Sequence, residues 1–166
     1  LAALVFIRRM VETTDVTPVG GADLARRAET EAGAKALAAL HVPKGVEVFE
    51  ISGPFFFGIT AKLADILDQI EAPPKVFILR MGNVPLIDAS GVDALIGFIE
   101  KNKLRGTKVL LTRVQPQPLR IMTEMGLTAW IGKDALMPNL STALEYAKTL
   151  IENETATPPA TSSASF

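Results

Sequence analysis

The stretch of sequence that decides the fold runs from residue 75 to 103 and reads KVFILRMGNVPLIDASGVDALIGFIEKNK. Its first part, KVFIL, is a continuous apolar run with β-branched residues, which predicts a central strand covered on both faces. Its last part repeats apolar residues at i, i+3, i+4 and i+7, namely Val92, Leu95, Ile96 and Ile99. That spacing predicts a helix over 92–103 that lays one face on a sheet.

The same alternation of strands and helices continues on both sides of this stretch. Strands are predicted at 46–51 (VEVFEI), 108–114 (KVLLTRV) and, shorter, within 10–19. The acidic residues of VEVFEI alternate with apolar ones and predict one solvated face. Helices are predicted over 22–40, 60–70 and 139–152, with a short one from Pro116 to Gly126. This order indicates an α/β domain, with a mixed sheet of about four to five strands flanked by about four to five helices.

The composition is that of an ordinary globular domain. The chain has 166 residues, 48% of them apolar and 21% charged, and its net charge of −1 gives no basic field for nucleic acid. It has no cysteine and one histidine, His41, which we expect in a solvated loop. The motifs G-x-S-x-G, G-x-x-x-x-G-K-[ST] and G-x-G-x-x-G do not occur. We therefore expect no catalytic set, no metal site and no cofactor.

The two ends of the chain differ in composition from its middle. Residues 1–7 (LAALVFI) form an apolar run that Arg8 and Arg9 follow. A bilayer span takes about 20 residues, but basic residues directly after a span mark its cytoplasmic side. Residues 1–10 are thus either the end of a last transmembrane helix with its basic flank or a short amphipathic lead-in. Residues 153–166 are rich in Pro, Ser, Thr and Ala and are predicted to be disordered.

The loop VPLIDASG carries the candidate site, which consists of Asp88, Ala89, Ser90, Gly91 and Val92. In one interpretation the loop is structural: Ser90 caps the helix, and Asp93 three residues later completes a capping box. In the other, the unpaired N–H groups and partial positive charge of the helix start stabilise a phosphate, either on Ser90 or from a nucleotide. Asp88 would repel that phosphate unless it capped the loop from its other side.

A second candidate surface lies in the segment GPFFFG, which contains Phe55, Phe56 and Phe57. Three successive side chains of an extended chain cannot all face the same way. One interpretation is core packing plus a turn, with at least one ring in the core and one toward a rim. The other is an apolar surface that contacts a partner or a membrane domain.

These segments together resemble the STAS domain, the module shared by sulfate transporters and anti-sigma factor antagonists. IDASG, followed by the helix GVDALIGFIE, resembles the family's Asp-x-Ser/Thr-Gly loop, and RGTKVLLTRV and PLRIMTEMGL resemble the strand and third helix that come next. The resemblance covers residues 46–150 of a domain that we expect over 11–152, and it leaves 22–40 as a helical insert. GPFFFG and LAALVFIRRM further resemble the SulP family of anion transporters.

The resemblance implies a STAS-like fold and a regulatory, non-catalytic domain on the cytoplasmic side of a plasma-membrane transporter for sulfate, bicarbonate or a dicarboxylate. The implied partners are the membrane domain of the same chain and a regulatory protein or weakly bound nucleotide at the Ser90 loop, in a homodimeric parent. The alternative is a free-standing anti-sigma factor antagonist, switched by phosphorylation of Ser90. A third hypothesis, a small α/β enzyme with a nucleotide at Ser90, lacks the phosphate loop that it would need.

Overall fold

Five strands form one sheet in the computed structural model of the chain, and helices lie on both of its faces. The structure describes residues 15–18, 41–56, 59–70 and 72–156. The elements in chain order are β1 (Asp15–Pro18), β2 (Val46–Ser52), α1 (Ile59–Gln69), β3 (Val76–Asn83), α2 (Ala89–Leu104), β4 (Lys108–Thr112), α3 (Pro116–Glu124), α4 (Leu127–Ile131), β5 (Leu136–Met137) and α5 (Leu140–Ala156).

The strands stand in the sheet in the order in which they occur in the chain. β1 is antiparallel to β2, and the other neighbouring strands are parallel. β3 is the central strand, and its Val76 pairs with Val46 of β2 on one side and Lys108 of β4 on the other. The structure thus confirms the predicted mixed α/β sheet, including the antiparallel strand from the N-terminal part.

The sheet separates two hydrophobic cores, because alternate residues of its strands point to opposite faces. In the first core the sheet packs against α1, α2 and α3, and the predicted helical stripes are buried there at Leu63, Ile66, Val92, Leu95 and Ile99. The rings of Phe49 and Phe77 stack at 5.0 Å between centroids, and Phe98 of α2 meets Phe77 edge-on at 5.2 Å. In the second core α5 covers the other face through Leu140, Ala143, Leu144 and Ala147.

The prediction of one solvated face on β2 is wrong, because residues on both faces of the strand are buried in the two cores. Glu47 is exposed, but Glu50 is only 4% exposed. The Glu50 carboxylate accepts hydrogen bonds from Arg80 Nη1 at 3.2 Å and from Asn83 Nδ2 at 2.6 Å, both of which belong to β3. A buried carboxylate requires such partners, because an unpaired charge in the interior is costly. The Glu50 contacts also link the carboxyl-terminal halves of β2 and β3.

Further differences concern short or terminal elements. Neither the five-residue helix α4 nor the two-residue strand β5 is predicted from the sequence, since neither is long enough to show a period. Residues 153–156, predicted as the start of a disordered tail, belong to α5. In the sequence nothing breaks that helix before Pro158. Residues 1–10, 22–40 and the rest of the tail lie outside the described residues.

We expect Glu50→Ala to lower the free energy of unfolding by about 3 kcal/mol, because it removes the carboxylate that balances the buried Arg80 guanidinium. The matched control is Glu47→Ala, whose side chain is exposed near the start of the same strand, and for which we expect a change within about 0.5 kcal/mol. Urea unfolding followed by circular dichroism measures both variants. Equal losses in the two would contradict the role assigned to Glu50.

Candidate functional site

The candidate loop is built from two chain segments that leave neighbouring strands. After β2, Phe55 N donates a hydrogen bond to Leu86 O at 2.8 Å, and Asp88 N donates to Phe55 O at 3.4 Å. Between these bonds Phe55 and Ile87 form an isolated parallel bridge. The segment after β2 therefore continues the pairing with the β3 side up to the residue that precedes α2.

Gln117 of α3 holds the same loop through its side-chain amide. Its Oε1 accepts from Ile87 N at 2.9 Å, and its Nε2 donates to Ile87 O at 3.0 Å. Gln115 Nε2 adds a bond to Gly82 O at 2.6 Å. The side-chain amide thus hydrogen-bonds both the N–H and the C=O of Ile87, as the main chain of a neighbouring strand would. Neither glutamine is predicted from the sequence, because the Gln117 contact joins residues 30 positions apart.

Asp88 caps α2, so the prediction that Ser90 is the N-cap is wrong. Asp88 is extended (φ −110°, ψ 179°), and its Oδ1 accepts from Gly91 N at 2.8 Å. Ser90 is the second residue of the helix, and its Oγ donates to the same Asp88 oxygen at 2.8 Å. Asp and Ser are both strong N-cap residues, and in this loop Asp88, which comes first in the chain, is the N-cap. The predicted capping box between Ser90 and Asp93 does not form.

Gly91 allows a close approach between α2 and the segment after β2. A Cβ at this position would lie 2.3 Å from the Phe55 carbonyl oxygen and 2.8 Å from Phe55 Cδ1. The nearer atom belongs to the main chain, so it cannot move aside as the end of a flexible side chain would. The first turn of α2 thus packs directly on the backbone that follows β2.

The candidate residues divide into a buried and an exposed set. Gly91 and Val92 are buried, and Val92 belongs to the first core. Asp88, Ala89 and Ser90 are exposed. The surface of the site is therefore a carboxylate, a methyl group and a hydroxyl on a backbone held by hydrogen bonds from two other segments.

The phenylalanine segment is divided in a similar way. Phe55 is completely buried, which fits core packing and rules this ring out as a contact surface. Phe56 is half-buried, and Phe57 lies outside the described residues. Among the exposed apolar side chains, Leu86 lies in the loop and is 44% exposed, and Leu119 of α3 is 38% exposed.

The geometry limits what the helix start can bind. The Asp88 carboxylate accepts both the Gly91 N–H and the Ser90 hydroxyl, so it takes the place that a phosphate would occupy. The strand order never reverses along the sheet, although a reversal is where open parallel sheets hold nucleotides. In the described part of the chain no three His, Cys, Asp or Glu side chains come together as metal ligands.

The family model described as the STAS domain matches residues 38–144, which is more than half of the chain. The chain belongs to the STAS domain family. The match includes the whole loop from Asp88 to Val92 and the segment around Phe55 that packs on it. The predicted family and its fold are thereby confirmed.

Three known proteins are similar to this STAS domain. The putative sulfate transporter YvdB of Bacillus subtilis (strain 168) is 31% identical over 134 residues, which are 80% of this chain and 23% of YvdB. The crystal structure of a sulfate transporter family protein from Wolinella succinogenes is 45% identical, with a TM-score of 0.64 over 68% of this chain and 93% of that one. The SulP transporter STAS domain from Vibrio cholerae is 28% identical, with a TM-score of 0.61 over 68% and 88%.

The STAS domain described here is related to transporters but spans only part of their length. The chain covers 23% of YvdB, a curated relative that it matches. Among the helices that the structure describes, none combines the length and the apolar character needed to cross a membrane. The predicted resemblance to sulfate transporters of the SulP family is confirmed at the level of this domain.

We expect Gly91→Ala to lower the free energy of unfolding by about 2 kcal/mol or more, since the added Cβ would overlap the Phe55 carbonyl. The matched control is Gly97→Ala in the same helix, where a Cβ would meet no atom within 4 Å. Replacing that glycine in a helix interior should stabilise the domain by about 0.5–1 kcal/mol. Thermal and urea unfolding measure both variants, and a neutral or stabilising Gly91→Ala would contradict the close approach.

Proposed function

We propose that this STAS domain is a non-catalytic regulatory domain on the cytoplasmic side of a secondary anion transporter, and that its loop 88–90 contacts the membrane domain of the same chain. The observation that carries the proposal is an exposed loop whose backbone is already held by Phe55 and Gln117. A surface fixed before binding loses little conformational entropy when a partner binds. The transported anion in this proposal is sulfate, bicarbonate or a dicarboxylate, and the parent is a homodimer.

A protein surface suits this loop better than a nucleotide does. Leu86, two residues before Asp88, offers exposed apolar area next to polar Asp88 and Ser90, which is the mixture typical of protein contacts. A nucleotide phosphate would instead meet the Asp88 carboxylate at the helix start. The similarity to a sulfate transporter family protein, at 45% identity, supports a transporter as the parent.

The second candidate function is that of a free-standing anti-sigma factor antagonist, and the exposure of Ser90 favours it. A kinase can reach an exposed hydroxyl, and Ser90 Oγ now donates a hydrogen bond to Asp88. A phosphate on this oxygen would replace that bond with repulsion between two anions at the cap of α2. Such a disturbance is suited to a switch, but the 31% identity to a sulfate transporter favours the first candidate.

We expect the full-length gene product, with a reporter protein fused to its C-terminus, to fractionate with the plasma membrane. The reporter should be active on the cytoplasmic side, because the basic residues Arg8 and Arg9 follow an apolar run just before this domain. Fractionation and protease protection of the reporter measure the two properties. A soluble product would overturn the transporter proposal and favour the antagonist, for which phosphate on Ser90 is then sought by mass spectrometry.

The contact with the membrane domain is testable by crosslinking, because this chain contains no cysteine. We expect Ala89→Cys, carrying a photoreactive maleimide, to crosslink to the membrane domain of a full-length transporter whose other cysteines have been replaced. The matched control is Glu100→Cys, also exposed on α2 but about 16 Å farther along the helix. Equal crosslinking from both positions, or crosslinks from position 89 only to a separate protein, would overturn the proposed contact.

A further inference from the structure

A cavity of about 350 Å³ lies at the opposite end of α2 from the loop. It opens where α2 ends, β4 begins and α4 passes over both, and it is lined by side chains from all three elements. Its size is at the lower end of the range for small-molecule sites. None of the candidate residues of the loop lines it, so it is a separate site.

The inner wall of the cavity is apolar. Ile99 and Val109 belong to the first core and are almost completely buried, and Ile131 packs against that core from α4. Trp130 forms the outer wall and is 45% exposed, which is high for the largest apolar side chain in the chain. A flat indole beside an apolar recess offers a stacking surface for a ring or an alkyl chain.

Two lysines line the cavity, and they differ in what they already bind. Lys108 Nζ donates to Asp134 Oδ2 at 2.6 Å and lies 5.8 Å from the centroid of the Tyr146 ring. Lys103 is exposed, and within the described residues no carboxylate forms an ion pair with it. Of the two lysines that line the cavity in the described part of the chain, Lys103 is therefore the one whose ammonium group remains available to a ligand.

Main-chain hydrogen bonds at the end of α2 already occupy two of its last carbonyl groups. Arg105 N and Thr107 N donate to Asn102 O at 3.0 and 2.9 Å, and Gly106 N donates to Lys103 O at 3.1 Å. These bonds satisfy two of the carbonyl groups at the negative end of the helix dipole, which favours a lysine in the last turn. Lys101, two residues earlier in the same last turn, shares the dipole but does not line the cavity.

We infer that this cavity binds a small amphipathic carboxylate, with its apolar body against Trp130 and Ile99 and its charge on Lys103. The apolar recess selects the body of the ligand, and a single unpaired cation at the rim selects a single negative charge. The inference is independent of the function proposed for the loop, since no residue is shared between the two sites.

The test uses octanoate as the probe and the 166-residue chain, whose single tryptophan is Trp130. We expect a saturable change of tryptophan emission with octanoate and a parallel signal in titration calorimetry. Octanol, which has the same alkyl chain and no charge, should bind at least about tenfold more weakly, because it lacks the charge-assisted contact to Lys103.

The matched variants are Lys103→Gln and Lys101→Gln, which remove one charge each from the last turn of α2. We expect Lys103→Gln to weaken octanoate binding about tenfold and Lys101→Gln to leave it within about twofold, with both variants folded by circular dichroism. The inference is overturned if octanoate gives no saturable signal, if octanol binds as tightly as octanoate, or if the two lysine variants weaken binding equally.

Discussion

The close packing of Gly91 on the backbone of Phe55 is the constraint on which the rest of the site depends. The Phe55 carbonyl lies where a side chain at position 91 would be, and it also accepts a hydrogen bond from Asp88 N. This contact sets where α2 begins relative to the segment after β2, and the buried Phe55 ring fills the space beneath it. The glycine of the loop is thus explained by packing alone, and its presence is no evidence for a ligand.

The elements that can be predicted from the sequence are those in which buried residues follow a regular local pattern. The continuous apolar run KVFIL indicates a buried strand, and the helical spacing of apolar residues from Val92 onward indicates a helix with one buried face. These local patterns are enough to predict β3 and α2. Glu50 illustrates the limit, because its partners Arg80 and Asn83 are 30 and 33 residues away and only the sheet brings them together. The contact between Gln117 and Ile87 also joins residues that are 30 positions apart, so it cannot be predicted from a local pattern either.

The position of the loop at the start of α2 is predicted correctly from the sequence, but its hydrogen bonds are not. Asp88 and Ser90 stand two residues apart, and both side chains are good caps, so composition alone does not decide which one begins the helix. The structure assigns the cap to Asp88 and makes Ser90 its hydrogen-bond donor. The helix start therefore carries a negative charge of its own, and its chemistry changes from phosphate binding to the display of an exposed hydroxyl.

The loop and the cavity lie at the two ends of α2, whose 16 residues span about 24 Å. A ligand beside Ile99 and Lys103 touches the same helix whose first turn carries the loop. The helix is packed on the sheet along its length, so it would transmit a change only as a shift of the whole element. At its first turn the main chain of Phe55 already blocks movement of Gly91 toward the segment after β2. Motion in that direction is therefore excluded, and a ligand in the cavity would affect the loop only through a shift of α2 in another direction.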